Sequence, residues 1–164
     1  MPLQQSAALT KLTELVKDIK IAMLTTVEAD GLLHSRPMGT QEIEDGTLWF
    51  FVKDDSRKAD EVLHDPRVNV SYINSTTWVS VSGRATITRD RQKIDELWSD
   101  TIKMWVPLGK ADPHLALMKI DIEEGEYWDA SSGAMVRLFD YVKSRLSGEA
   151  YYEGELTEHG VAKA

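Results

Sequence analysis

The chain has 164 residues, long enough for one hydrophobic core and too short for two comfortable domains, so it is read as a single domain over residues 1–164. Hydrophobic residues make up 42% and charged residues 28%, which excludes a disordered tail or a membrane span. A net charge of −8 works against nucleic-acid binding, and the absence of cysteine removes disulfides, thiolate nucleophiles and cysteine-ligated metal centres together.

The opening "MPLQQSAAL" has neither a basic start nor a long apolar run, so a cytoplasmic protein is expected. Leu9, Leu12, Leu15, Val16 and Ile19 then recur every three or four positions, predicting an amphipathic helix over residues 6–20. From Ile21 the pattern becomes β-rich. "IAMLTTV" and "LLHSRPM" are two strands separated by the hairpin signal Asp30-Gly31, and a second turn, "EDG" at 44–46, leads into the strand "TLWFFV". A helix is expected over Arg57–His64, with Ser56 as its N-cap.

"VNVSYI" and "TWVSVSGRATI" read as two more strands, with Gly83 at a bulge or bend inside the longer one. Asp90 is placed as the cap of a helix over 91–103, where Ile94, Leu97, Trp98 and Ile102 share a face; "VPLGKADP" breaks it. "LALMKIDI" and "GEYWD" supply two further short strands. A last helix is expected over 133–146, and the acidic segment 149–164 reads as a mobile tail. Many short strands, most joined by hairpins, predict a mainly β protein: an antiparallel barrel with helices packed around it.

One placement is odd. Arg57 and Lys58 stand in the first turn of a helix, where four unpaired backbone N–H groups and the partial positive charge disfavour cations. Ser56, the free N–H groups and the two cations together would suit a phosphate. On residues alone an equal reading stands beside this one: Asp54 and Asp55 neutralise the two cations at the surface. Upstream, strand alternation points Arg36 and Met38 to one face, and Pro37 removes a ladder donor, so that strand is an edge or is bulged there.

Taken in order, "RPM", "WFFV", "SRKADEV", "VSVSGRATI", "DELWSDTIKMWVPLGKADP" and "EYWDASSG" resemble the flavin-binding split barrels of the pyridoxamine phosphate oxidase-like superfamily, most closely their general stress protein branch. The resemblance runs over roughly residues 8–146. It implies an antiparallel split β-barrel and FMN bound at a homodimer interface. Arg57 and Lys58 would hold the FMN phosphate with Ser56 and Arg36, and Arg36, Pro37 and Met38 would line the isoalloxazine. Phe51 and Val52 would offer backbone contacts, Trp105 would cover the ring, and Trp128 would approach it from the second subunit.

The departures narrow what the resemblance implies. Gln41 stands where the name-giving oxidase has a substrate-binding lysine, and "DASSGAMVRL" replaces its basic, histidine-containing stretch, so oxidation of pyridoxamine phosphate is not expected. No residue recommends itself as a general acid or base, and no catalytic residue is assigned. A modest FMN-dependent oxidoreductase and a non-catalytic flavin-binding stress protein, which senses or buffers the cofactor, remain the two readings. A deazaflavin or haem in place of FMN is the third. His34, His64, His114 and His159 lack ligand spacing, so no metal site is expected.

Overall fold

A computed structural model describes residues 7–130 and 158–163. Its sheet runs in the order β3-β2-β1-β4-β5-β6-β7, with β3 also paired to β6, so the first six strands close into an antiparallel barrel. The strands are β1 (Ile21–Val27), β2 (Leu33–Glu44), β3 (Thr47–Lys53), β4 (Arg67–Ile73), β5 (Thr77–Thr88), β6 (Leu115–Asp129) and β7 (Glu158–Lys163). Among the described residues three α-helices accompany them: α1 (Ala7–Val16), α2 (Arg57–His64) and α3 (Arg91–Leu97). The mainly β, split-barrel expectation holds.

Local chemistry sets the turns. Gly31 has φ 87° in the β1–β2 hairpin, and Asp45 and Gly46 have φ 48° and 77°, the paired positive values that a two-residue hairpin between twisted strands requires. Alternation does the rest: in β1 Ala22, Leu24 and Thr26 are buried while Ile21 and Met23 are exposed. The barrel is filled by Leu24, Phe50, Val70, Tyr72, Val81, Met118 and Ile120, together with Leu9, Leu12 and Val16 of α1. Gly125 lets that helix approach, since a Cβ there would stand 2.3 Å from Leu12 Cδ1. Gly83 marks the expected irregularity, where the β5–β6 register shifts and a Cβ would meet the Asp121 carbonyl.

Four expectations are corrected or bounded. The two strands at 115–122 and 125–129 are one continuous β6: the acidic run reads as a break, but Glu123 and Glu124 simply face outward while Ile122 and Gly125 stay buried. The helix begun at Asp90, whose side chain accepts from the N–H groups of Gln92 and Lys93, ends at Leu97 rather than at 103. Trp98 is extended and sets its ring edge-on to Phe51, with centroids 5.7 Å apart, and a 3₁₀ turn over Asp100–Met104 follows. Within the segment read as a tail, Glu158–Lys163 forms β7, pairing with β6 over Glu124–Asp129. The helix expected over 133–146 lies outside the described residues.

α2 is seated by charge as well as by packing. Glu61, 7% exposed, accepts from Arg36 Nη2 at 2.6 Å and from Thr26 Oγ1 at 2.5 Å, while Arg36 Nη1 donates to Thr26 Oγ1 at 2.6 Å. The helix is thereby tied to β1 and β2. Burial would raise the Glu61 carboxyl, but hydrogen bonds from Thr26 and Arg36 and the charges of Arg36 and Arg57 outweigh it and hold it below the usual glutamate range. A carboxyl held lower in the folded protein than in the unfolded chain adds stability above the unfolded value, and that stability drains away as the pH falls through the folded one. Glu61→Gln is therefore expected to cost about 2 kcal/mol at neutral pH, the order of a charge-assisted hydrogen bond. Urea midpoints measured from neutral to acid pH should converge for the two proteins.

Candidate functional site

Between β2 and β3 the barrel parts. β2 pairs with β3 from Glu44↔Thr47 to Thr40↔Phe50, with a register shift between Thr40 and Glu42. Beyond that point Leu33–Gly39 of β2 pairs only with β1, and Phe51–Lys53 of β3 pairs only with β6. The two strands part, and among the described residues each presents an edge without a strand neighbour on that side. Pro37, which could not donate to a ladder, stands on the parted section of β2.

A groove of about 550 Å³ occupies the parting. Pro37, Met38, Gly39 and Gln41 line it from β2, and Phe51, Val52 and Lys53 from β3. Ile21 of β1, the turn residues Asp55 and Ser56, Lys58 of α2, and Trp105 and Val106 complete it. Seven of the ten side chains singled out from sequence, Pro37, Met38, Phe51, Val52, Ser56, Lys58 and Trp105, therefore meet at one place. Trp105 stands at the rim with 75% of its surface exposed.

Three do not line the groove. Arg36 faces inward beside Met38, as strand alternation requires, and its guanidinium is spent on Glu61 and Thr26 with His34 Nδ1 2.8 Å from Nη2. Arg57 turns to carboxylates: Nη2 donates to Glu28 Oε1 at 2.5 Å, and Nε lies 3.0 Å from Glu61 Oε1. Trp128 lies on the far part of β6, opposite Trp78 on one side and His159 on the other.

Lys58 is a cation without a counter-charge at the groove. Among the described residues no carboxylate pairs with it, and burial together with the nearby Arg36 charge pushes its ammonium below the usual lysine range. An anion in the groove would relieve both effects. Ser56 occupies the N-cap position but makes no side-chain cap; its hydroxyl donates to the Lys53 carbonyl at 2.6 Å, which fixes the β3–α2 turn. Asp54 and Asp55 do not neutralise the two cations. Asp54 hydrogen-bonds His114 Nδ1 at 2.9 Å and pairs with Arg89, and these partners hold its carboxyl below the usual range.

The fold gathers two clusters that sequence spacing hides: Glu28, His34 and Glu61, and Asp54, Asp55 and His114. Guanidinium groups already occupy both, Arg36 and Arg57 in the first and Arg89 in the second. Sequence reasoning also missed Glu28, Glu61, Ile21 and Val106. The Arg57–Glu61 spacing of four was the one available signal.

The fold recurs in known proteins. General stress protein 26 of Bacillus subtilis is 28% identical over 134 residues, 78% of this chain and 93% of that protein. A solved structure from Jannaschia sp. CCS1 shares the fold with a TM-score of 0.70 at 23% identity, over 96% of this chain and 99% of that one. The general stress FMN/FAD binding protein of Xanthomonas citri superposes with a TM-score of 0.64 at 28% identity, over 76% of this chain and 92% of that one. The model of the family described as "Pyridoxamine 5'-phosphate oxidase like" matches residues 7–152, and with a parted barrel of this topology the chain belongs to that family.

Proposed function

We propose that the chain is an FMN-binding protein of the general stress type, holding the flavin in the groove between β2 and β3. The observation that carries this reading is the unpaired Lys58 ammonium at the helical end of a groove of about 550 Å³. That volume lies within the range of about 300–1,000 Å³ usual for cofactor sites. The residues fit the group. Lys58 would take the phosphate, with the Ser56 turn, Arg57 and the half-buried Arg36 nearby. Pro37, Met38, Phe51 and Val52 would flank the ring system, and Trp105 would cover it. A single terminal phosphate suits this compact cationic corner better than a haem or a deazaflavin would. That a protein of this fold from Xanthomonas citri is an FMN/FAD binding protein supports the reading.

The redox chemistry would be the flavin's own, while the protein binds it, orients it and limits access. Among the described residues the groove's titratable side chains, Lys53, Asp55 and Lys58, all sit on or beside the β3–α2 turn. The walls between the strands carry no acid or base, which favours a second reading, a flavin-binding stress protein that senses or buffers the cofactor without catalysis. Gln41 in the groove wall supports the expectation that pyridoxamine phosphate is not oxidised.

A homodimer belongs to the same proposal. Ile21, Met23, Met104, Trp105 and Leu108 are exposed on or near the groove, a concentration of apolar surface that a two-fold partner would cover. Trp128 stands away from the groove of its own chain, so a second copy would have to supply it. No described helix is long and apolar enough to cross a membrane, in keeping with a proposed cytoplasmic location.

Lys58→Ala is expected to weaken FMN binding roughly tenfold to a hundredfold, the worth of a charge-assisted contact, while riboflavin, which lacks the phosphate, binds as before. Fluorescence titration with both ligands checks this; equal loss for both would move the phosphate elsewhere. Size-exclusion chromatography is expected to show a dimer carrying flavin, and a flavin-loaded monomer would overturn the interface. Stopped-flow mixing with NADH and NADPH separates the two readings: rapid bleaching identifies an oxidoreductase, and inert bound flavin a binding protein.

A further inference from the structure

Arg57 poses a problem for the groove it borders. Its side chain is 66% exposed and stands at the first position of α2, next to Lys58 in sequence. An arginine there would ordinarily sample many rotamers, and immobilising it on an anion costs conformational freedom. Here it is held before any ligand arrives. Glu28 Oε1, on the β1–β2 hairpin, accepts a hydrogen bond from Nη2 at 2.5 Å, and Nε stands 3.0 Å from Glu61 Oε1 as an ion pair.

Those two nitrogens form one edge of the planar guanidinium, so Nη1 is left over, and among the described residues it has no hydrogen-bond partner. The two carboxylates differ in their other duties. Glu61 is 7% exposed and also anchors Arg36 and Thr26, whereas Glu28 is 22% exposed and among the described residues otherwise pairs only with His34, whose Nδ1 is 3.6 Å away. Glu28 can therefore be changed without unseating α2.

We propose that Glu28 is a positioning residue of the anion site: by gripping one edge of Arg57 it presents Nη1 to the phosphate beside Lys58. The inference rests on the groove being a phosphate site, as argued above, and deepens that reading. It makes a counter-intuitive demand. Removing a negative charge beside an anion site should, by Coulomb attraction alone, tighten anion binding. Positioning demands the opposite sign.

The test is a double-mutant cycle on the full chain, with FMN and riboflavin as ligands followed by fluorescence. Glu28→Ala is expected to weaken FMN binding about fivefold, and Arg57→Ala to weaken it by a similar or larger factor. The combined variant should be no weaker than Arg57→Ala alone, because Glu28 acts only through Arg57. Glu28→Gln, which keeps the acceptor oxygen, should restore most of the affinity. Riboflavin should bind all four variants as it binds the unaltered protein, which a general loss of structure would not allow.

Tighter or unchanged FMN binding by Glu28→Ala overturns the proposal, as do additive losses in the combined variant or a parallel loss of riboflavin. Should the unaltered protein bind no FMN, the functional reading fails by itself. Titration calorimetry with inorganic phosphate then decides Glu28 separately: weaker phosphate binding by Glu28→Ala upholds the positioning role, and unchanged, tighter or absent binding refutes it.

Discussion

An antiparallel barrel that closes completely offers no unpaired strand edge, and in this one β2 and β3 separate beyond the Thr40–Phe50 pair. The rest of the site follows from that separation. The register shift between Thr40 and Glu42 sets where it starts, and Pro37 keeps the freed part of β2 from seeking another ladder. Because β3 still pairs with β6 along its whole length, the opening forms without loosening the barrel's interior, and Phe50, Val52 and Met118 stay buried. The outcome is a groove with rigid strand walls, the setting in which a planar group can be held by fixed main-chain atoms.

The charges around α2 are arranged so that most of them cancel and one does not. Arg36, Arg57 and Lys58 meet Glu28 and Glu61, and the pairing leaves Lys58 over. Fully paired, the cluster would be a structural ion-pair network with nothing to offer a ligand. Wholly unpaired, three cations at the start of one helix would repel one another and oppose the helix dipole. Two buried or half-buried carboxylates reconcile helix formation with a residual positive charge at the groove. This answers the question raised by cations in a first turn: the helix tolerates Arg57 because residues from a neighbouring hairpin and from its own next turn neutralise it.

Much of the fold was legible because its signals are local. Asp30-Gly31 and Asp45-Gly46 announce their hairpins through backbone conformations few other residues adopt, Asp90 announces a helix start, and Gly83 marks an irregular strand position. The misreadings have one cause, tertiary packing overriding a local pattern. Glu123, Glu124 and Gly125 look like a loop unless one knows that Gly125 lies under Leu12. Trp98 continues a helical face until its ring is claimed by Phe51. "EHGVAK" has too little apolar patterning to read as a strand, yet it pairs along β6 through main-chain bonds. Of the site, the groove walls were legible through their order along the chain. Glu28 was not, since 29 residues separate it from Arg57 and only the fold brings them together.

β6 has one edge that two strands divide between them: β3 takes Leu115–Asp121 and β7 takes Glu124–Asp129. The second half of that edge is thus capped by a short segment almost at the carboxyl end of the sequence. A truncated protein ending before Glu158 would bare six residues of a strand whose other side is already committed to β5. Such a half-satisfied edge is a template for adding a foreign strand, so an expression version trimmed there invites aggregation or strand exchange between molecules.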